Sequence, residues 1–260
     1  MDGENTAENQ PSATGSKIFF LYPTASVQNQ IITELIQQEY EAYIAKDHNR
    51  LARSLKKYPD SIVYINIDDG ISEPEWEKWI AGIYKTVPTV KIGVFSSNTT
   101  EELKNKYLNI LRVSCGFLQL KLDMTKISEK VLEILNEMNL KGRRKYLRAT
   151  AERDANTTMN MPFNGEFINA AIRDISVVGI SCIFKHDPNL AKNSLYKDIQ
   201  IKLQSMLLKV EAVIFGSRND GGEKIYVLLF TQRVAPEVRI KIRKYIQQNL
   251  QSKMDMEINK

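Results

Sequence analysis

Between residues 17 and 138 the apolar positions change period repeatedly: short continuous apolar runs alternate with stretches in which they recur every three or four residues. Residues 17–22 form a run of the kind that makes a strand buried on both faces, and Pro23 ends it. Val27, Ile31, Ile32, Leu35 and Ile36 follow at helical spacing, with Ser26 as the expected cap. The same alternation predicts further strands over 40–45, 61–67, 90–95 and 117–122. It predicts helices over 51–58, over 73–84 with Trp76, Trp79, Ile80 and Ile83 inward, and over 101–111. A last long helix carries the stripe Ile127, Val131, Ile134, Leu135 and Met138. Strands alternating with helices in this way predict a doubly wound parallel (βα)5 sheet.

Beyond residue 140 the period drops from 3.6 to 2. The long helix is expected to stop at Gly142 in a left-handed cap. Residues 167–178 alternate through Phe167, Asn169, Ala171 and Arg173 into Asp174-Ile175-Ser176, and 180–184 continue as strand. Further strands are predicted over 200–208, 210–216 and 224–231. Lys209 alone separates the first two, and the turn-rich residues 217–222 separate the last two. Pro236 opens a helix with Val238, Ile242, Tyr245, Ile246 and Asn249 at helical spacing. A small antiparallel β-barrel closed by a terminal helix is the economical architecture. The expected organisation is a disordered tail over 1–16, an α/β domain over 17–140, a barrel domain over 141–252 and a tail over 253–260, where Met254 and Met256 are read as packing and tail.

The length of 260 residues suits two domains, and 43% hydrophobic with 26% charged residues is ordinary for a globular protein. No apolar run approaches the roughly 18 residues of a membrane span, and residues 1–16 are polar and acidic without a secretory apolar core, so a cytoplasmic location is expected. Cys115 and Cys182 make no CxxC, and His48 and His186 are far apart, so the reading is two buried thiols and no metal. The net charge of +5 hides an asymmetry: residues 1–140 carry a net −4 and residues 141–260 a net +9. An anionic partner therefore belongs to the second half. Residues 141–153 alone hold six basic side chains against Glu152.

In the first half Gly70, Gly82, Gly93 and Gly116 stand isolated, with no GxGxxG or Walker pattern. Its alternation resembles the receiver domain of two-component signalling. A working receiver implies an acidic pair for magnesium after the first strand, an aspartate after the third, a hydroxyl after the fourth and a lysine at the fifth. Asp68-Asp69, Ser96-Ser97 and Lys121 match, but the first strand runs into Leu21-Tyr22-Pro23-Thr24 with no carboxylate. Phosphoryl transfer without that charge neutralisation loses its main stabilisation, so a pseudo-receiver is favoured over a phosphorylated switch. The plain alternative for Asp68 and Asp69 is a solvated loop and a helix cap.

In the second half Arg144 and Arg148 stand four residues apart at the joint, beside Arg143. About thirty residues on come Asp174, Ser176 and Gly179. A basic run is commonly a solvated face, and Asp-x-Ser before Gly is commonly a turn with a bulge. Together, RxxxR and DxSxxG resemble the PilZ family over about residues 141–250. That resemblance implies a non-enzymatic receptor for cyclic dimeric GMP (cyclic di-GMP) with no metal. Its ligand-binding residues would be Arg143, Arg144, Arg148, Asp174, Ser176 and Gly179. Arginine can bond a guanine edge bidentately, bond a phosphate or stack on a purine. Asp174 can accept from guanine N1 and N2, Ser176 offers a small donor, and Gly179 lets ligand or backbone come close. Ligand binding is expected to change the domain arrangement and so signal to an unknown downstream protein partner. A nucleic-acid-binding reading of the basic half has thin support, since Tyr146 is the only aromatic in the basic run. No nucleophile and base, metal cluster or carboxylate pair points to an enzyme.

Overall fold

The computed structural model describes residues 15–142, 144–151, 154 and 156–258, so the expected tail falls outside it up to residue 14. The chain divides into two compact units. One runs to Lys145 and takes in the chain from Met254 onward; the other is Tyr146–Lys253.

In the first unit β1 (Ile18–Leu21), β2 (Ala42–Ala45), β3 (Ile62–Asn66), β4 (Lys91–Ser96) and β5 (Phe117–Gln119) form an all-parallel sheet in the order β2-β1-β3-β4-β5. The doubly wound prediction holds, and the order is one of the two common ones for such sheets. Its central strands are largely apolar because both faces are covered: every residue of β1 and β3 is buried, Asn66 at the end of β3 included.

Four helices connect the strands and a fifth follows β5. They are α1 (π-helical Val27–Ile32 continued by Thr33–Gln37), α2 (His48–Leu55), α3 (Glu73–Thr86), α4 (Glu101–Asn105 continued by π-helical Lys106–Ile110) and α5 (Met124–Glu137). Local chemistry sets their starts. The Asp47 side chain accepts from the Arg50 amide at 2.9 Å, and Ser72 with Glu75 forms a capping box before the buried Trp76, Ile80 and Ile83. Ser26 does not cap α1: it is already helical and makes no side-chain cap bond. Thr24 takes that place, its hydroxyl accepting from the Val27 amide at 3.3 Å. Nor does Gly142 end α5. The helix stops at Glu137, and Asn139 adopts the left-handed conformation with φ +49°, a role asparagine shares with glycine.

In the second unit β7 (Thr157–Phe163), β8 (Glu166–Ser176), β9 (Gly179–Phe184), β10 (Leu195–Leu203), β11 (Met206–Asp220) and β12 (Glu223–Phe230) close a six-stranded antiparallel barrel in the order β8-β7-β10-β11-β12-β9, with β9 returning to β8. A short β6 (Arg148–Thr150) adds to β8. The barrel prediction holds, with three differences inside it. The sequence pattern predicts no strand at β6 or β7. One strand is predicted through 200–208, whereas the hairpin turns at Gln204, which has φ +56°, and Lys209 lies within β11. Residues 217–222 are predicted as turn, whereas β11 pairs with β12 as far as Asp220 and only Gly221-Gly222, both at positive φ, makes the turn.

The terminal helix α6 (Pro236–Ile258) packs Ile242, Tyr245 and Ile246 into the barrel core, and Tyr245 meets the Thr157 hydroxyl at 3.1 Å in the interior. It runs on through most of the expected C-terminal tail; there Met254 is buried and Met256 is exposed. Both cysteines are buried, which pushes the Cys115 thiol up to about 11 and Cys182 to about 12. Neither is a thiolate near neutrality, in keeping with two inert thiols.

Residues 185–194 cross between β9 and β10 and are pinned by Asp187. Its carboxylate accepts from the Tyr226 hydroxyl, from Lys224 Nζ at 2.9 Å and from the Asn189 amide at 2.9 Å. Those bonds, Tyr226 first, hold its pKa down at about 2 against an ordinary 3.8. A carboxyl depressed on folding contributes stability that is full above the ordinary value and lost as pH falls through the folded one. The crossing is therefore expected to loosen between about pH 4 and about pH 2. Asp187→Asn should flatten the stability-versus-pH curve in that window, measured by denaturant unfolding at stepped pH. Curves of equal slope would refute the assignment.

Candidate functional site

In the first unit, Asp68 follows β3 with both carboxylate oxygens occupied. Oδ1 accepts from the Ser96 hydroxyl at 2.6 Å and Oδ2 from the Ser97 amide at 2.6 Å. Asp69 accepts from the Gly70 amide at 2.6 Å. Lys121 lies beyond the end of β5, exposed in the turn rather than in the strand. At the end of β1, where a receiver's acidic pair is expected, Tyr22 stands at φ +51° with its ring 6.0 Å from Trp76 and its hydroxyl 3.2 Å from His48 Nδ1. Gly70 must be glycine for this packing: its φ is +84°, and a Cβ would fall 2.4 Å from the Tyr22 ring.

The second unit assembles its candidate residues around the tight turn between β8 and β9. Counting outward from Val177-Val178, the paired residues are Ser176 with Gly179, Ile175 with Ile180 and Asp174 with Ser181. A bulge at Arg173 interrupts the ladder, so that Ile172 pairs with Cys182 and Asp174 directly with Ser181. Both Arg173 and Asp174 then lie toward solvent while Ile172 and Ile175 stay in the core. On the other side of β8, Arg148 pairs with Ser176 and Thr150 with Asp174. This brings the Arg148 guanidinium diagonally onto Asp174, Nη1 to Oδ1 at 3.4 Å. The second Asp174 oxygen accepts from the Ser181 hydroxyl at 2.6 Å.

The Arg148 side chain is 49% exposed and Asp174 25%. A pair this open to water is worth about 0–1 kcal/mol. It orients two charges without locking them, and the guanidinium can leave for a better partner.

The turn itself is held from several directions. The Ser176 hydroxyl donates to the Gly179 carbonyl at 3.2 Å and accepts from the Val178 amide at 3.4 Å. The Phe230 amide donates to the Val178 carbonyl at 2.9 Å. Arg239, in the first turns of α6, donates one nitrogen to the Val177 carbonyl and the other to that of Thr231, each at 2.9 Å. Gly179 has a reason other than ligand approach or a left-handed backbone. A Cβ there would fall 2.3 Å from the Leu228 carbonyl oxygen of β12, so the close passage of two strands demands glycine.

Arg148, Asp174, Ser176, Gly179, Ser181 and Arg218 line a depression of about 70 Å³, with Val227, Leu228 and Leu229 among its apolar wall. This is well under the roughly 300–1,000 Å³ of a site that encloses a drug-sized ligand; it suits one edge of a ligand lying across it. Four of the six sequence-predicted residues thus come together. Arg144 is exposed in the irregular stretch after α5 and belongs to the first unit, and Arg143 lies outside the described residues. Ser181, Arg218 and Arg239 were missed. Ser181 was legible as the residue opposite Asp174 once the two-residue turn is counted; the two arginines come from distant chain. Among the described residues no group of three or more His, Cys, Asp or Glu side chains could hold a metal ion, and no helix is long and apolar enough to cross a membrane.

No protein-family model matches the chain, and no curated protein matches it. Solved structures do. The PilZ domain of Escherichia coli YcgR with c-di-GMP is similar at 15% identity and a TM-score of 0.37, covering 45% of this chain and 98% of that one. The K. pneumonia MrkH–c-di-GMP complex matches at 17% and 0.40, covering 46% and 57%. A response regulator from Thermotoga maritima matches at 14% and 0.39, covering 47% and 98%. The chain spans about half the length of the YcgR and MrkH complex chains, 49% and 57%.

Proposed function

We propose that the chain is a non-enzymatic receptor for cyclic di-GMP, bound on the second unit with help from the arginines of the preceding stretch. The observation that supports this most is the meeting of Arg148 and Asp174, 26 residues apart in sequence, at 3.4 Å on the rim of the depression beside the β8–β9 turn. A guanine base offers O6 and N7 as acceptors on one edge, and N1–H and N2–H as donors next to it. A guanidinium bonds the first set bidentately and a carboxylate accepts from the second. A half-exposed arginine resting on an aspartate presents both groups side by side, already oriented and lightly held. Ser181 keeps Asp174 turned to the rim, while Ser176 and Gly179 shape the turn beneath it. Arg144 and Arg143 supply further charge for the phosphates or a plane for stacking. Binding that favours one arrangement of the two units over another would carry the signal to a protein partner.

Titration calorimetry of the intact chain with cyclic di-GMP tests the reading. Saturable binding is expected, with GMP far weaker because it carries one base. A flat titration refutes it.

A further inference from the structure

We infer that Arg218 is a further guanidinium for the same ligand and takes one of its phosphates. This rests on the receptor reading above. Arg218 lies on β11 opposite Ile225 of β12, two residues before the Val227 that pairs with Ser181. It lines the depression from the wall facing away from β6. The charges around that depression are unequal: Arg148 and Arg218 against Asp174 alone.

The neighbouring arginines are spoken for. Arg148 rests on Asp174, and Arg173 holds Asp220 at 2.8 Å, the carboxylate two residues from Arg218 along β11. Among the described residues no carboxylate pairs with Arg218, and its side chain is exposed. A ligand that is both a base and an anion must divide these groups. The base edge with its donors goes to the Arg148–Asp174 couple, because only there is an acceptor carboxylate at hand. The phosphate must keep away from that same carboxylate, since like charges repel at close range. Of the two arginines that line the depression, the one with no carboxylate of its own is the place left for it.

The test is calorimetry of the intact wild-type chain, Arg218→Ala and Arg218→Lys with cyclic di-GMP, each at two salt concentrations. Arg218→Ala is expected to bind about tenfold more weakly, the effect of one charge-assisted bond. Its affinity should also fall less steeply with salt, because one fewer cation faces the phosphate. Arg218→Lys should recover most of the loss, because a point charge serves a phosphate where it does not serve a planar, bidentate contact. If the wild type binds and Arg218→Ala binds equally well, Arg218 has no part and the receptor reading stands. If both variants are equally weak, the contact is not to a phosphate and the inference is overturned. If the wild type does not bind, the receptor reading falls and this one with it. Equal melting temperatures of the three proteins, expected for an exposed position, exclude misfolding as the cause.

Discussion

Arg148→Ala is expected to weaken cyclic di-GMP binding by one to two decades while leaving the melting temperature of the second unit almost unchanged. The two halves of this expectation have separate physical origins. A bidentate arginine–guanine contact carries about 1–3 kcal/mol of recognition, and each 1.4 kcal/mol is a factor of ten in affinity. The folded state loses little, because the ion pair with Asp174 is open to water and worth about 0–1 kcal/mol. Arg148 also sits on β6, a strand of three residues at the outer side of β8. Calorimetry and a thermal melt on the same preparation would show both. A large drop in melting temperature would recast Arg148 as a structural residue, and unchanged affinity would remove it from the site.

Gly179→Ala should act in the opposite sense and damage the fold. The added methyl would lie 2.3 Å from the Leu228 carbonyl oxygen and 3.2 Å from a Leu229 methyl. The first of these is backbone at the end of the β9–β12 ladder, where Gly179 pairs with Leu229 and Ile180 with Leu228. The strands must separate locally, and overpacking of this kind costs about 1–3 kcal/mol. For a unit of this size each kcal/mol lowers the melting temperature by roughly 4–8 °C. Differential scanning calorimetry would measure it; a variant that melts with the wild type would show that the strands have slack. Binding to Gly179→Ala should weaken as well, since the displaced strand carries Ser181 and hence the orientation of Asp174.

Much of the fold was legible because its signals are local. The strands of the first unit read as apolar runs because both faces of the sheet are covered, and its helices read from spacing. The caps were harder: Ser26 and Gly142 have the right chemistry in the wrong place, and Thr24 and Asn139 do the work with residues of equal propensity nearby. In the barrel, β7 was missed although Thr157, Met159 and Met161 do alternate inward. Asparagine and proline, at its centre and near its end, are poor strand formers and weaken the support that propensity gives the alternation. The turn at Gln204 was missed because Gln and Ser do not announce a positive φ as Asn-Gly or Gly-Gly would.

Of the candidate site, the meeting of arginine with the aspartate, serine and glycine was expected from the family resemblance that the two motifs carry together. The reasons were not. Glycine at 179 answers to β12, a strand more than forty residues away, and the second wall of the depression comes from β11. Such contacts depend on how the barrel closes, which no window of sequence contains.

The bulge at Arg173 has a consequence for how the site tolerates changes in chain length. Its carbonyl receives the Ala151 amide at 2.8 Å just past the end of β6, so the supernumerary residue of β8 is also a mooring for the short arm that bears Arg148. Excising Arg173 would leave Asp174 and Ser181 facing each other, and inside and outside would still alternate correctly. The arm would lose the bond that extends its pairing past Thr150, and Asp220 its partner. One surplus amino acid thus lengthens the hold between two sequence signatures, and a single-residue deletion there would shorten it to the three pairs of β6.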